Sequence, residues 1–174
     1  MVEVVKYEVI RNIGKVEIRS YPQITIARVD GYGDGGFNLL LRFISGKNRQ
    51  KRKVQMTAPV VGEQISMTAP VVSEDSSLAF VMPDGYTLDT TPEPLDDRVK
   101  ITEIPQRVIA ALRFSGRWTE RSFAKRAQEL LKSLDEAGIA VQGKVFTMRY
   151  NGPFTPWFMR RNEVAVEVKQ WNTP

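Results

Sequence analysis

Two stretches of the sequence decide the fold: "VEIRSYPQITIARVDGYG" at residues 16–33 and "VKITEIPQRVIAALRFSG" at residues 99–116. Aligned without a gap, they coincide at a valine, an isoleucine, a Pro-Gln pair, an alanine and a closing glycine. In each, a proline turn joins two β-rich segments, and a glycine precedes a helical pattern. The similarity predicts an internal duplication of a strand–turn–strand–helix unit with returning strands, related by a pseudo-twofold axis. Chance similarity between two β-rich segments is the alternative explanation.

The duplication also sets the expected domain organisation. A chain of 174 residues can bury one substantial core, so we expect a single domain over residues 1–174. Its halves are predicted at about residues 7–98 and 99–170. The segment 83–98, "PDGYTLDTTPEPLDDR", is dense in Pro, Asp and Thr and predicts a loop at the end of the first half.

The helix of the second half has one apolar stripe. Thr119 is the predicted N-cap, Glu120 suits the positive end of the helix, and Gly138 ends it. The stripe consists of Phe123, Ala127, Leu130, Leu131 and Leu134. This spacing is typical of a helix that lies on a sheet, so its predicted role is structural.

The helix of the first half, "FNLLLRFISG" at residues 37–46, is apolar on two sides. The predicted core face consists of Phe37, Leu40, Leu41 and Ile44. Leu39 and Phe43 form an i, i+4 pair that projects roughly opposite. A short helix with two apolar sides needs a cover over the second one, which could be another part of the chain, a partner or a flat apolar ligand.

The phrase "MTAPV" occurs twice, at residues 56–60 and 67–71. Met56 and Met67 could in principle ligate a haem iron, although single methionines are usually core filler. Pro59 and Pro70 cannot donate to a ladder, so each copy should lie at a sheet edge or a bulge. We interpret the repeated phrase as a hairpin of paired strands.

Composition narrows the possible functions. The chain has no cysteine and no histidine, which excludes thiolate chemistry and histidine-based catalytic relays. No secretion signal or membrane span is evident, so a cytoplasmic location is expected. The net charge of +5 would suit an anionic partner. The basic tract at residues 47–53 lacks interleaved aromatics and favours a solvated loop, not a nucleic-acid site.

The stretch "RYNGPFTPWFMRRNEVAVEV", residues 149–168, combines apolar bulk with fixed cations. Its distinctive side chains are Phe154, Trp157, Phe158, Met159, Arg160 and Arg161. Such a surface would suit an amphiphilic anion with a flat hydrophobic body and carboxylate tails. An ordinary loop with surface arginines is an equally good interpretation.

Taken together, "YEVIRNIGKVEIRSYP", "FISGKN", the doubled "MTAPV" and "MRYNGPFTPWFMRRNEVAVEV" resemble the SOUL haem-binding protein family over nearly the whole chain. The resemblance implies an α+β fold: a distorted antiparallel β-barrel made of two pseudo-symmetric β-α-β-β halves with two packed helices, similar to bacterial effector-binding domains. It implies non-covalent binding of haem or a related tetrapyrrole, by a carrier or buffer that is not an enzyme.

The resemblance also implies a site, a shallow apolar groove over the first helix flanked by cations. The residues carried over are Leu40, Leu41, Arg42, Ile44, Phe154, Trp157 and Arg160, with Leu39 and Phe43 as the alternative helix face. Some family members are thought to ligate iron through a histidine where this chain has Ser20. Weak binding of haem, or binding of a metal-free porphyrin, is therefore expected.

Three other functions stay open from the sequence. An effector-binding module would take lipophilic cations through a groove carboxylate, for which Glu163 is the candidate, although Arg160 and Arg161 beside it count against this. A hydrolase could use Glu163 with Tyr150 as an acid–base pair. A protein-interaction module could use the two-faced first helix.

Overall fold

The computed structural model describes residues 3–31, 34–63, 77–152 and 154–169. Within these ranges the elements, in chain order, are β1 (Glu3–Val4), β2 (Glu8–Ile13), β3 (Val16–Tyr21), β4 (Ile24–Asp30), α1 (Asp34–Ile44), β5 (Thr57–Glu63), β6 (Ser77–Val81), β7 (Lys100–Ile104), β8 (Arg107–Phe114), α2 (Glu120–Glu136), β9 (Val141–Arg149), a 3₁₀ turn (Trp157–Met159) and β10 (Asn162–Val168). The predicted loop at residues 83–98 contains no strand.

The strands form one sheet in the order β2-β3-β8-β10-β9-β5-β6-β4-β7, with β1 added in parallel beside β5. The other pairings are antiparallel, and β2 and β7 lie at the two ends, so the barrel is not strictly closed. This confirms the predicted fold class. The sheet order is symmetric about its middle. Read inward from one end, after β2, the strands run β3-β8-β10-β9, and read inward from the other end, their equivalents run β7-β4-β6-β5.

The register repeats as well. Ile18 lies opposite Ala110 in the β3–β8 pair, and Ala27 lies opposite Ile101 in the β4–β7 pair. Ala27 is separated from Ala110, and Ile18 from Ile101, by the same number of positions that separates Val16 from Val99. The sheet therefore has the symmetry that the duplication requires, while the boundaries of the two halves stay a prediction.

Because side chains alternate along a strand, each strand contributes to both faces of the sheet. On one face α2 covers a cluster that includes Ile18, Leu112 and Val164, and α1 covers a second cluster. The opposite face carries a third cluster, with Tyr21, Phe146 and their neighbours. Both helices thus lie on one side of the sheet and bury separate cores. No helix in the described ranges is both long enough and apolar enough to cross a bilayer.

Helix α2 forms as its sequence predicts. The hydroxyl of Thr119 accepts a hydrogen bond from the backbone N–H of Ser122 at 3.1 Å, which confirms the N-cap. The helical residues end at Glu136, and Gly138 adopts a φ of 70°, a conformation that glycine adopts without strain. The stripe faces the sheet, with Leu131 at its partly buried margin.

Helix α1 is rotated relative to the prediction. Leu40, Phe43 and Ile44 are buried, whereas Leu41 is 39% exposed. The predicted core face was therefore wrong about Leu41, and Phe43 belongs to the core. Successive residues turn by about 100°, so Leu39 and Leu41 flank Leu40 symmetrically, and the letters alone do not say which neighbour turns inward.

The first copy of the doubled phrase begins β5. The register of β5 against β6 shifts between Thr57 and Val60, so Pro59 lies in a bulge, as its missing N–H requires. The second copy, residues 67–71, lies outside the described residues. The hairpin between the two copies therefore remains a prediction.

Candidate ligand-binding site

A cleft of about 640 Å³ lies beside α1. Its lining residues come from the helix, from the turn that follows it and from the end of the long loop before β7: Leu39, Arg42, Phe43, Lys47, Pro94, Leu95, Asp96, Asp97, Arg98 and Val99. The volume falls within the roughly 300–1,000 Å³ that small-molecule sites occupy. Among the described residues, those that line the cleft cover the second side of α1 only in part.

The turn after α1 is built by Asn48, which is buried. Its side-chain amide donates to the carbonyls of Phe43 at 3.0 Å and Arg52 at 2.8 Å, and its side-chain oxygen accepts from the N–H of Arg52 at 3.1 Å. Gly46 has a φ of 109°, which a residue with a side chain rarely adopts. The letters "SGKN" thus specify a turn that closes the helix and orders the start of the basic tract.

The same turn holds the opposite wall of the cleft. Asn48 forms an isolated antiparallel bridge with Pro94, and the N–H of Arg49 donates to the carbonyl of Glu93 at 2.9 Å. The N–H of Glu93 in turn donates to the side-chain oxygen of Gln50 at 2.9 Å. These contacts fix the segment 93–99 relative to α1. The cleft between them is therefore a fixed feature of the fold.

Asp96 and Arg98 shape the far end of that wall. Asp96 accepts from the backbone N–H of Arg98 at 3.0 Å and from its guanidinium at 2.6 and 2.9 Å. These hydrogen bonds from Arg98 lower the pKa of Asp96 to about 2. The carboxylate is thus charged at any physiological pH and engages Arg98, while the buried Val99 closes the floor.

The cleft carries a net positive charge, since three cations and two carboxylates line it. Arg98 is engaged by Asp96. Among the described residues, neither Arg42 nor Lys47 has a carboxylate within salt-bridge distance. These two cations are therefore available to an anionic group at the rim of the apolar surface formed by Leu39 and Leu95.

The lining residues supply no strong ligand for a metal. Among the described residues that line the cleft there is no imidazole, thiolate, thioether or phenol, and Lys47 supplies an amine. The described ranges also hold no group of three or more acidic, histidine or cysteine side chains that could bind a metal ion. The donor set fits a tetrapyrrole held by apolar contact and by pairing of its carboxylates.

The predicted helix residues divide between core and cleft. Leu40 and Ile44 are buried against the sheet and do not line the cleft, and Leu41 is exposed outside its lining. Arg42 does line the cleft. The alternative face, Leu39 and Phe43, contributes the apolar side chains there.

The predicted loop residues are elsewhere in the molecule. Phe154, Trp157 and Arg160 are not among the cleft-lining residues. Trp157 and Arg160 lie beside the residues that precede α2, where Arg117 stacks over the ring of Trp157 at 5.4 Å and Arg160 over that of Trp118 at 4.2 Å. The structure does not bring the helix group and the loop group into one site.

Sequence reasoning missed the second wall of the cleft. Pro94, Leu95 and Val99 stand in a segment whose prolines and aspartates predict an exposed loop, and such patterns do not say what the loop touches. The available signal was Leu95 itself, an isolated apolar side chain in a polar loop that proves to be 62% exposed.

Glu163 lies away from the cleft, on the opposite face of the sheet. Its side chain is 0% exposed and forms a two-pronged ion pair with the guanidinium of Arg19, with one contact at 2.9 Å. Arg19 also donates to Glu17 at 2.8 Å and to the Tyr21 hydroxyl at 3.2 Å. The charge of Glu163 is therefore matched inside the protein, so Glu163 is not the groove carboxylate that an effector-binding module would need.

Tyr150 and Arg161 complete this buried cluster. Burial raises the pKa of Tyr150 well above its ordinary value, and the neighbouring Glu163 charge adds to the effect. Burial alone would raise the pKa of Glu163, but the hydrogen bonds and charge of Arg19 outweigh it and lower that pKa. A clamped carboxylate is a weak base and a neutral buried phenol a weak acid, so the cluster gives no support to acid–base catalysis by Glu163 and Tyr150.

Comparison with known proteins identifies the family of this chain. The family model described as SOUL heme-binding protein matches residues 2–167, and the chain belongs to this family. The chain is 27% identical to heme-binding protein 2 of Mus musculus over 142 residues, which cover 77% of this chain and 69% of the mouse protein. The predicted family is confirmed, and haem binding is a property of that family.

Solved structures extend the likeness at the level of the fold. A hydrolase from Listeria innocua superposes with a TM-score of 0.65 at 13% identity, covering 89% of this chain and 92% of that one. SAV2435, in a structure bound to tetraphenylphosphonium, gives a TM-score of 0.53 at 12% identity, with 94% of both chains covered. At these identities the likeness concerns the fold alone.

Proposed function

We propose that this chain binds haem or a related tetrapyrrole non-covalently in the cleft beside α1, without histidine ligation, as a cytoplasmic carrier or buffer and not as an enzyme. The observation that carries the proposal is the cleft itself. It combines apolar walls on two sides with two cations that, among the described residues, have no carboxylate within salt-bridge distance, in a chain of a haem-binding family.

Each part of the cleft has a role in this proposal. Leu39 and Leu95 would contact the flat face of the ligand, because burying their exposed apolar surface is favourable, and the buried Phe43 would back this surface. Arg42 and Lys47 would pair with its carboxylate tails. A bound haem would supply the redox chemistry of its iron, whereas a metal-free porphyrin would be held by the same contacts.

This assignment revises the site predicted from the sequence. Arg42 is retained, Leu39 and Phe43 replace Leu40 and Ile44, and the wall at residues 94–99 is added. The revised site needs no axial ligand from the protein, which accords with a chain that contains neither histidine nor cysteine. Binding should therefore be weak and exchangeable.

The test is a titration of the purified protein with hemin and with protoporphyrin IX, followed by the Soret band and by tryptophan quenching. We expect saturable binding of one ligand per chain with either compound. Leu95→Glu and Arg42→Glu should each weaken it tenfold or more, since each places a negative charge beside the ligand carboxylates.

Matched controls are available in the chain. Leu88 is an exposed leucine of the same loop that does not line the cleft, and Arg121 is an exposed arginine on α2. Leu88→Glu and Arg121→Glu should bind like the unmodified chain. Equal loss in controls and cleft variants, or loss through Phe154→Ala with the cleft variants unaffected, would overturn the cleft as the site. Saturable binding of tetraphenylphosphonium with none of either tetrapyrrole would overturn the ligand class.

A further inference from the structure

A second surface, which the proposed tetrapyrrole site does not use, lies in the half of the molecule that contains α2. Phe154 is 99% exposed, and the three residues of the 3₁₀ turn, Trp157–Met159, are each about half to two-thirds exposed. We refer to Phe154 and Trp157–Met159 as the aromatic platform. Large apolar side chains exposed together on a folded domain mark a surface that contacts something else.

The backbone around the platform is firmly held. The side-chain oxygen of the fully buried Asn162 accepts from the indole N–H of Trp118 at 2.8 Å, and its amide donates to the carbonyl of Gly116 at 3.0 Å. The N–H of Arg161 donates to the side-chain oxygen of Asn151 at 2.6 Å. Both ends of the segment are thus anchored to the sheet and to the start of α2.

The platform itself is closed by internal hydrogen bonds. The N–H of Met159 donates to the carbonyl of Pro156 at 2.9 Å, and the guanidinium of Arg160 donates to the carbonyl of Thr155, also at 2.9 Å. Because these hydrogen bonds order the backbone, the fold itself holds the platform side chains in their exposed positions. Binding of the platform to another surface would therefore require little further ordering of the backbone.

The charges around the platform have one dominant sign. The segments 113–121 and 149–161, which the structure brings together, contain six arginines and one glutamate. Arg117 stacks over the ring of Trp157 at 5.4 Å, and Arg149 stacks over Trp118 at 5.2 Å. Arg161 is directed inward, where it donates to the Tyr7 hydroxyl at 2.9 Å, whereas Arg117 is exposed beside Trp157.

We propose that the aromatic platform inserts into the interfacial region of an anionic phospholipid bilayer, with the surrounding arginines at the headgroups. Tryptophan and phenylalanine favour the membrane interface, and cations beside them add attraction to anionic lipids. Protein interfaces share this enrichment in aromatic residues, methionine and arginine, so the charge of the surrounding surface is what decides between a protein and a membrane. The platform projects outward and carries a single dominant sign of charge, which matches the flat, uniformly anionic surface of a bilayer.

The experiment is co-sedimentation of the full chain with vesicles of phosphatidylcholine alone and of phosphatidylcholine with phosphatidylserine. We expect binding to the anionic vesicles that weakens as salt is added. Phe154→Ala/Phe158→Ala should lower the partition coefficient tenfold or more, and Arg117→Gln about fivefold. The control Val9→Ala/Leu88→Ala removes two exposed apolar side chains elsewhere and should bind vesicles like the unmodified chain.

The outcomes separate this proposal from the tetrapyrrole site. Phe154→Ala/Phe158→Ala should keep full hemin binding, and Leu95→Glu should keep full vesicle binding. No binding of the unmodified chain to anionic vesicles, or equal binding by the platform variant, overturns the membrane proposal. So does a dimer in sedimentation velocity that the platform variant dissociates, since a second copy would then be the occupant. Unchanged circular dichroism verifies that the variants are folded.

Discussion

Helices α1 and α2 pack on strand pairs of the same register, but the sides that they turn away from the sheet differ in polarity. The 17 residues of α2 carry a single apolar stripe and eight charged side chains, so its outer face is well solvated. The 11 residues of α1 include Asp34 and Arg42 as charged residues and are apolar around much of their circumference. The outer side of α1 therefore needs a cover that the outer side of α2 does not.

The long loop before β7 provides part of that cover. Residues 94–99 stand opposite the edge of α1 that carries Leu39, and the space left between them is the cleft. In the other half, the segment between β9 and β10 projects its apolar side chains outward as the platform. The comparison shows how one framework can yield a recess in one half and an exposed surface in the other.

The buried ion pair is a second asymmetry between the halves, and removing it should have the largest effect. The strand registers equate Arg19 with Thr102 and Glu163 with Ser77, so the other half has no such pair. Arg19→Met should lower the free energy of unfolding by about 3–5 kcal/mol, because the buried carboxylate of Glu163 loses its two-pronged partner and keeps only a longer contact to Arg161, at 3.5 Å. Urea unfolding measures this.

Two variants control for that prediction. Arg19→Met/Glu163→Leu should recover most of the loss, since the buried carboxylate and its main partner are removed together. Thr102→Met, at the equivalent position of the other half, should change stability by no more than about 0.5–1 kcal/mol. If Arg19→Met alone were as stable as the unmodified chain, the ion pair would not hold the two strands together as we infer.

The orientation of α1 gives the next prediction. Phe43→Ala should destabilise the protein by about 3 kcal/mol, because it leaves a cavity in the core beneath α1. Leu41→Ala should cost less than about 1 kcal/mol, since Leu41 is substantially exposed. Thermal and urea unfolding of both variants compare the two positions directly. The reverse ranking would restore the orientation predicted from the sequence.

A smaller effect is expected at the start of α2. Thr119→Ala removes the side chain that accepts from the N–H of Ser122 and should cost about 1 kcal/mol. Thr119→Ser keeps the hydroxyl and should stay within a few tenths of a kcal/mol of the unmodified chain. Equal stability of the alanine and serine variants in urea would mean that the cap contributes nothing.

The smallest effect at neutral pH concerns the buried phenols. Burial raises the pKa of both Tyr21 and Tyr150. Their contribution to stability is therefore complete below about pH 10, the ordinary tyrosine pKa, and is lost as the pH rises above it. In an alkaline titration followed by tyrosinate absorbance, Tyr21 and Tyr150 should both ionise above the ordinary tyrosine pKa. Tyr150→Phe should show one fewer late-ionising tyrosine than the unmodified chain; an unchanged number would contradict the assignment.

Several features were predictable because their causes are local. The alternation of strands, the Thr119 cap and the stripe of α2 depend on neighbours within a few residues, and each formed as expected. The repeated register also follows from similarity between two segments of the same chain. The family resemblance, carried by motifs spread over the chain, was confirmed by the match over residues 2–167.

The candidate site was less predictable because its causes are not local. Arg42 was assigned from the sequence and does line the cleft, but the side of α1 that faces it depends on how the helix rotates on β4 and β6. The opposite wall comes from residues 94–99, about fifty positions further along the chain. The family resemblance implied that Phe154 and Trp157 share a site with α1, whereas the sheet order places the segment that carries them in the other half of the molecule.

The sequence by itself determined the absence of imidazole and thiolate chemistry through its composition, and its motifs carried the family resemblance that implied the fold class. Tertiary structure alone decided that Glu163 is bound to Arg19, 144 residues away, and that a cleft remains beside α1. The physical reason is that charge pairing and the burial of an apolar face depend on contacts between segments that are distant in sequence, and a single sequence does not specify those contacts.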